Sequence, residues 1–269
     1  MIDTTEAFDA AEREMWDGRA EAYAGSFARL CAYPVPALLD AAGVTAGSHV
    51  LDVGTGTGTV AVAALERGAR VAAVDAEADM VAAARGRGVD ARVAVLPELP
   101  YADGEFDAVV ANFVVNHVGR PRAALELRRV LRPGGRLAVT LWSARRGAGQ
   151  ELLGRAVQAA QAVPPAELPR LDPAEDFPRT PEGVAGLLTE AGFTGVRAAE
   201  TAWDHRATRD EWWSGAAGGV ATIGRVVTAQ TPETIARIRH AYDRLAGELT
   251  DADGLLRLPH VAVLASGTA

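Results

Sequence analysis

The sequence has no lysine. All 27 of its basic residues are arginine, set against 35 acidic ones, for a formal net charge of −8 over 269 residues. A chain of that sign repels phosphate backbones and anionic headgroups, so neither nucleic acid nor a membrane surface is an expected partner. Cysteine occurs once, at Cys31, which excludes an intrachain disulfide and any multi-cysteine metal cluster. The histidines, His49, His117, His205, His240 and His260, are scattered without i, i+4 pairing, and no metal site is expected. No apolar run approaches the roughly 20 residues that span a bilayer. Residues 1–14 carry Asp3, Glu6, Asp9, Glu12 and Glu14 where a secretory leader would have a basic stretch and an apolar run. The expected location is therefore the cytoplasm. What is present, 49 % hydrophobic and 23 % charged residues, is the composition of a globular domain.

Along the chain the apolar residues alternate between strand and helix patterns. From 8 to 39 the spacing is helical, with Trp16, Tyr23, Phe27 and Leu30 on one aromatic face and Pro34 and Pro36 interrupting it. Residues 37–42 read as a short helix ended by Gly43. The run 49–53 reads as a buried parallel strand, and a helix with Val60, Ala61, Ala64 and Leu65 on its apolar stripe ends at Gly68. A second strand at 70–75 completes a βαβ unit. A helix near 77–85, strands at 91–95 and 106–111, a helix at 121–131 and a strand at 136–142 continue the rhythm. This alternation predicts an α/β fold, a parallel sheet covered by helices on both faces. Arg128, Arg129 and Arg132 read as a solvated helix face complementing the helix dipole.

Residues 143–179 break the rhythm with Pro164, Pro165, Pro169, Pro173 and Pro178, an expected surface excursion containing an amphipathic stretch near 149–163. Thr180-Pro181-Glu182 opens a helix that stops at Gly192, and a strand at 196–202 follows. Before a last strand at 261–266 lie almost sixty residues that a minimal connection does not need, which predicts a cap. Within it, Thr208 to Glu211 fits a capping box opening a helix that carries Trp212 and Trp213. Thr231-Pro232-Glu233 opens another, with Ile235, Ile238, Tyr242, Leu245 and Leu249 on one stripe.

The segment Asp52-Val53-Gly54-Thr55-Gly56-Thr57-Gly58 lies between a strand and a helix, the context of a nucleotide-binding turn. Glycine there lets the backbone turn sharply and approach a ligand with no Cβ in the way. Asp75 ends the next strand, 21 positions after Gly54, where a carboxylate accepts hydrogen bonds from the two hydroxyls of a ribose. A dinucleotide fingerprint needs a further glycine where this chain has Thr59.

With an acidic residue two before its first glycine, the loop resembles the first motif of class I S-adenosylmethionine-dependent methyltransferases. The stretch 100–110 resembles the entry to the fourth strand of that superfamily, and Leu131-Arg132-Pro133-Gly134-Gly135-Arg136 its Pro-Gly-Gly turn before the fifth. The likeness covers 48–142, and Trp16-Asp17-Gly18-Arg19-Ala20 to Tyr23 is similar to the same segment of small-molecule and quinone-type members. The resemblance implies a Rossmann-like, seven-stranded, mostly parallel sheet whose last strand is antiparallel. It also implies an N-terminal helical cap over 1–45, a cofactor-binding core over 46–203, an inserted helical cap over 204–256 and the last strand over 257–269.

The activity implied is transfer of a methyl group from S-adenosylmethionine, leaving S-adenosylhomocysteine, to an O, N or C nucleophile of a small aromatic or apolar metabolite. The family's cofactor contacts fall on Asp52, Gly54, Thr55 and Gly56 beside the methionine part and on Asp75 at the ribose hydroxyls. Ala76 and Met80 flank the adenine, the Leu96 amide faces a ring nitrogen, and the Asn112 carbonyl faces the methionine ammonium. Where many relatives have an Asp for the adenine amino group, this chain has Val95, with Glu98 a substitute carboxylate. That departure keeps a second reading open, the same fold and cofactor with a non-methylating reaction such as cyclisation. An NAD(P)-dependent oxidoreductase is disfavoured by Thr59 and the Pro-Gly-Gly turn.

Displacement at a sulfonium needs alignment and water exclusion first, and a general base only for a weakly acidic acceptor. His117, just after the fourth strand's carboxyl end, is the candidate base, against the alternative of a histidine that fixes its loop or caps the next helix. His205 and His260, flanking the insert, read as surface or packing residues. Tyr23, Phe27, Trp142, Trp212 and Trp213 are the candidate wall for a planar or apolar acceptor, against plain packing between cap helices. Oligomeric state is open, a homodimer included.

Overall fold

The computed structural model describes residues 4–118, 120–165, 171 and 176–269. Its strands are β1 (His49–Val53), β2 (Arg70–Asp75), β3 (Asp90–Val93), β4 (Phe106–Asn112), β5 (Leu131–Trp142), β6 (Thr194–Ala207) and β7 (Leu256–Thr268). They form one seven-stranded sheet in the order β3-β2-β1-β4-β5-β7-β6. The first five pair in parallel, and β7 runs antiparallel to both of its neighbours. The order reverses between β1 and β4, and the crevice at the carboxyl ends of strands at such a switch point is where open α/β sheets bind ligands.

Strand residues alternate between two faces, and both are covered. Leu51 and Val53 of β1 join Leu127, Val184 and Leu188 in one core cluster, which belong to α7 (Arg120–Arg129) and α9 (Pro181–Glu190). Val50 joins Leu38, Leu39, Val60 and Ala64 on the other face, from α4 (Val35–Ala41) and α5 (Thr59–Glu66). The helix α6 (Ala78–Gly86) adds Val81 and Ala84 against Ala73 and Ala91. Near-continuous apolar strands are the sequence consequence of this double cover.

The N-terminal aromatic segment is not one amphipathic helix but α1 (Thr4–Trp16), α2 (Ala20–Ala24), α3 (Phe27–Cys31) and then α4. Gly18, at φ +69°, breaks the first junction, and Pro34 stands before α4. The breaks fold the aromatic face back on itself, and Trp16 meets Tyr23 edge-on at 5.7 Å. The segment is tied to the core by hydrogen bonds from the Ala20 amide to Asp79 (2.9 Å) and from Asn112 Nδ2 to the Cys31 carbonyl (2.8 Å).

The last two strands are twice as long as their apolar runs predict. Pairing of β5 with β7 ends at Trp142 opposite Ala262, whereas β6 and β7 stay paired out to Ala207 opposite Leu256. A two-stranded ribbon therefore overhangs the sheet's carboxyl edge. Ion pairs of Arg206 with Asp251 and Asp253, and of Arg257 with Asp204, hold its outer side, which is why charged residues there masked a strand pattern. The cap begins only after the ribbon, with α10 (Arg209–Ala217), α11 (Ala221–Thr228) and α12 (Pro232–Ala246). It shares a core with α8 (Ala148–Ala159), built around Leu152, Trp212, Ile238, Tyr242 and Leu245. The expected caps form: Thr208 and Glu211 bond each other's amides at 3.1 and 2.7 Å, and Thr231 accepts from Thr234. Pro169 and Pro173 lie outside the described residues.

Arg129 departs from the solvated face expected of it. Its guanidinium pairs with Glu126 and Asp103 and donates to the carbonyls of Leu99 and Tyr101. It thereby clamps the loop between β3 and β4. Arg132 pairs with Asp107, whose other oxygen accepts the His49 amide at 2.7 Å. Among the described residues no helix is long and apolar enough to cross a membrane.

Candidate active site

The glycine loop leaves β1 and turns through three positive φ angles, +65° at Gly54, +54° at Gly56 and +84° at Gly58. It is stitched to β2 by the Thr55 amide on the Val74 carbonyl (2.9 Å) and the Gly56 amide on Asp75 Oδ2 (2.7 Å). The Gly54 position is closed to any side chain: a Cβ there would stand 2.3 Å from Val114 Cγ2. Asp52 and Thr55 sit beneath the loop, both buried, with the Thr55 hydroxyl donating to Asp52 Oδ2 at 2.7 Å. Burial pushes the Asp52 carboxyl up to about 7. These two residues shape the loop from below; they do not line the cavity above it.

That cavity, of about 890 Å³, runs along the carboxyl edge of the sheet under the two caps. One part of its wall is Gly54, Gly56, Asp75, Ala76, Glu77 and Met80, with Val95 and Leu96 beside them. The Asp75 carboxylate is oriented by the Gly56 amide on Oδ2 and by the Glu77 amide on Oδ1 (3.0 Å). Each oxygen keeps a second lone-pair direction. Burial raises the Asp75 pKa, opposed by those two amide bonds.

Another part is aromatic: Trp16, Tyr23, Phe27, Phe113, Trp142 and Trp212 all reach it. Phe113 stacks on Trp142 with centroids 4.1 Å apart, and Phe27 packs on Trp212 at 5.0 Å. Phe113 does so from φ +60°, a conformation that costs a non-glycine residue about 1–2 kcal/mol. Its amide bonds to both the carbonyl and the hydroxyl of Thr140 hold it there. The Asn112 side chain donates to the Cys31 carbonyl and accepts from the Thr140 hydroxyl. Tyr23 shares a hydrogen bond with Cys31, whose thiol burial drives up to about 12.

His117 closes a short 3₁₀ turn after β4 and borders the same cavity. Its Nδ1 lies 2.6 Å from Glu12 Oε2, and its ring meets Trp16 edge-on at 5.5 Å. Glu12 comes from α1, so the N-terminal segment both roofs the cavity and grips the imidazole.

Trp213 does not join the wall. One residue step turns a helix by about 100°, so Trp212 faces inward and Trp213 outward, where it packs on Tyr242 at 5.4 Å beneath the Arg239 guanidinium. His205 and His260, read from the sequence as surface or packing residues, are both buried on the overhanging ribbon, and His260 reaches the cavity. Glu12, Trp16, Phe113 and His260 also line the cavity, and no local sequence pattern marks them for it.

Residues 51–139 match a family model described as a methyltransferase domain. The chain is 37 % identical over 172 residues to the demethylmenaquinone methyltransferase of Beutenbergia cavernae, a match covering 60 % of this chain and 71 % of that one. Three uncharacterised mycobacterial relatives, 32 % identical, are covered over 64 % of their length. Among solved structures, a SAM-dependent methyltransferase of Thermotoga maritima superposes with a TM-score of 0.55 at 17 % identity, over 95 % of this chain and 98 % of that one. Haemonchus contortus phosphoethanolamine N-methyltransferase 2, in complex with phosphomonomethylethanolamine and S-adenosylhomocysteine, gives 0.54 at 18 % identity, over 99 % of this chain and 60 % of that one. At such identities the structural likeness speaks for the fold.

Proposed function

The chain belongs to the class I S-adenosylmethionine-dependent methyltransferases, and we propose that it methylates an oxygen, nitrogen or carbon nucleophile of a small aromatic or apolar metabolite. What carries this reading is the single cavity that joins the glycine loop and Asp75 to an aromatic wall, with the His117 and Glu12 pair on its border. The relative from Beutenbergia cavernae, named a demethylmenaquinone methyltransferase, favours a planar ring as the acceptor. The family removes the nicotinamide alternative raised by the glycine loop.

The residues fit the cofactor. Asp75 offers two oriented carboxylate oxygens to the ribose hydroxyls, Gly54 and Gly56 leave bare main chain for the amino-acid tail, and Ala76, Met80, Val95 and Leu96 form an apolar slot for the adenine. When bound, the cofactor supplies a methyl group on a sulfonium, a leaving group that needs no further activation. The chain's own work is then to align the acceptor against Trp142 and Phe113, to exclude water beneath α1 and the inserted cap, and to receive the acceptor's proton. With Nδ1 held by Glu12, Nε2 is the ring nitrogen of His117 left to take it. Val95 lines the cavity where many relatives have a carboxylate and Glu98 is not among the lining residues, so the ribose contact would carry more of the affinity.

Gly54→Ala is expected to cut cofactor affinity by about tenfold or more, because the new methyl combines a disfavoured φ with a clash against Val114. Equilibrium binding of S-adenosylhomocysteine measures it, and a Val114→Ala second change should recover part of the loss. The reading itself is tested with methyl-labelled S-adenosylmethionine and a panel of phenols, hydroquinones and aryl amines. Label should appear in a small-molecule product. Tight cofactor binding with no transfer to any member of the panel would overturn the proposed acceptor class.

A further inference from the structure

The overhanging ribbon puts a second histidine on the acceptor wall. His260 stands on β7 two residues before the last β5 pairing partner, opposite Trp203 on β6, so it projects beyond the sheet edge where Trp142 ends β5. Its ring is boxed by Trp142 at 5.7 Å, Trp203 at 6.2 Å and Trp212 at 5.4 Å. It is 1 % exposed, yet it lines the cavity. Its ring atoms are largely spoken for. Nδ1 lies 2.8 Å from the Leu258 carbonyl, an acceptor, which requires Nδ1 to carry the proton. Cε1 lies against Gly149 of α8, so close that a Cβ there would approach it to 2.8 Å. The edge left for the cavity is the one bearing Nε2, which in this tautomer is a lone-pair acceptor. No protein group among the described residues bonds to it.

We propose that His260 Nε2 is the specificity-determining acceptor that receives a hydrogen bond from a hydroxyl or amino group on the methyl acceptor while Trp142 and Trp212 hold its ring. This deepens the reading given above and rests on it: the substrate class narrows to planar aromatics that carry a hydrogen-bond donor. Burial keeps the His260 imidazole neutral, with its pKa pushed down to about 4, so the lone pair is available throughout the neutral range. An aromatic lacking the donor would leave Nε2 desolvated and unpaired, and a site built this way rejects such a ligand more strongly than it rewards the correct one.

The test is calorimetric titration of the protein, saturated with S-adenosylhomocysteine, with 1-naphthol and with 1-methoxynaphthalene. The wild type should prefer the naphthol by about tenfold or more. In His260→Phe, which keeps an aromatic ring of similar size in the box, the preference should fall to within about threefold, with S-adenosylhomocysteine affinity unchanged as proof of an intact fold. Comparing the two ratios cancels the size difference between the ligands. Equal binding of both compounds by the wild type, or a preference that survives in His260→Phe, overturns the role of His260 alone. Failure of both compounds to bind the wild type overturns the planar-acceptor reading beneath it.

Discussion

Asp75→Ala should weaken binding of S-adenosylhomocysteine by about 100- to 1,000-fold, the largest effect on affinity expected of any single change in the cavity. The carboxylate would accept two charge-assisted hydrogen bonds from the ribose, each worth roughly 1.5–3 kcal/mol when the alternative is an unpaired buried group. It also accepts the Gly56 amide at 2.7 Å and the Glu77 amide at 3.0 Å. Alanine therefore removes the ligand's partner and frees the loop that forms the neighbouring part of the wall. Asp75→Asn separates the two effects. The amide keeps one acceptor oxygen, enough for the Gly56 amide, but turns an NH2 towards the Glu77 amide and the ribose, so it should lose affinity while keeping more of the loop's thermal stability than alanine does. Isothermal calorimetry beside thermal unfolding of the free protein checks both. An Asp75→Ala protein that binds within about threefold of the wild type would remove the ribose from this carboxylate and with it the proposed placement of the cofactor.

The parts of this site that rest on local chain geometry were legible in the sequence. A glycine loop between a short apolar run and a helix, with an acid ending the next strand, is specified within about thirty residues, and β1, α5 and β2 form where that pattern puts them. The count of seven strands and the antiparallel β7 follow from the family resemblance, and the strand order comes from the structure, because periodicity alone does not say which edge a late strand joins. Periodicity failed where tertiary contacts outvoted it. Gly18 and the turn at Gly25 break an apparently continuous helical stripe, and ion pairs of Arg206 and Arg257 extend a ribbon through residues that read as the start of a cap. Trp212 and Trp213 are equivalent in composition, and only the packing of α10 on α12 decides which one faces the cavity. Glu12 and His117 are 105 positions apart, and His260 becomes a wall residue only because β7 outruns β5. Neither relation has a local signal.

His117→Ala should lower kcat by about 10²- to 10⁴-fold for a phenolic acceptor, the range in which positioned general bases act, while leaving S-adenosylhomocysteine affinity within about threefold. The imidazole borders the cavity bonded to Glu12 rather than to Asp75 or the glycine loop, so the loss belongs in turnover. Glu12 acts through it. The 2.6 Å contact to Nδ1 fixes the ring's orientation and, by accepting from Nδ1, leaves Nε2 as the basic nitrogen. Glu12→Gln should therefore cost about tenfold in kcat with KM nearly unchanged, the signature of an interaction made mainly in the transition state. The decisive comparison is the double variant. If Glu12 works only by positioning His117, then Glu12→Gln added to His117→Ala should cost almost nothing further, because the two residues form one unit. Losses that instead multiply would assign Glu12 a contact of its own with the acceptor. A His117→Ala enzyme of undiminished kcat would leave both residues to hold α1 over the cavity, a structural role in which the acceptor's proton departs to solvent.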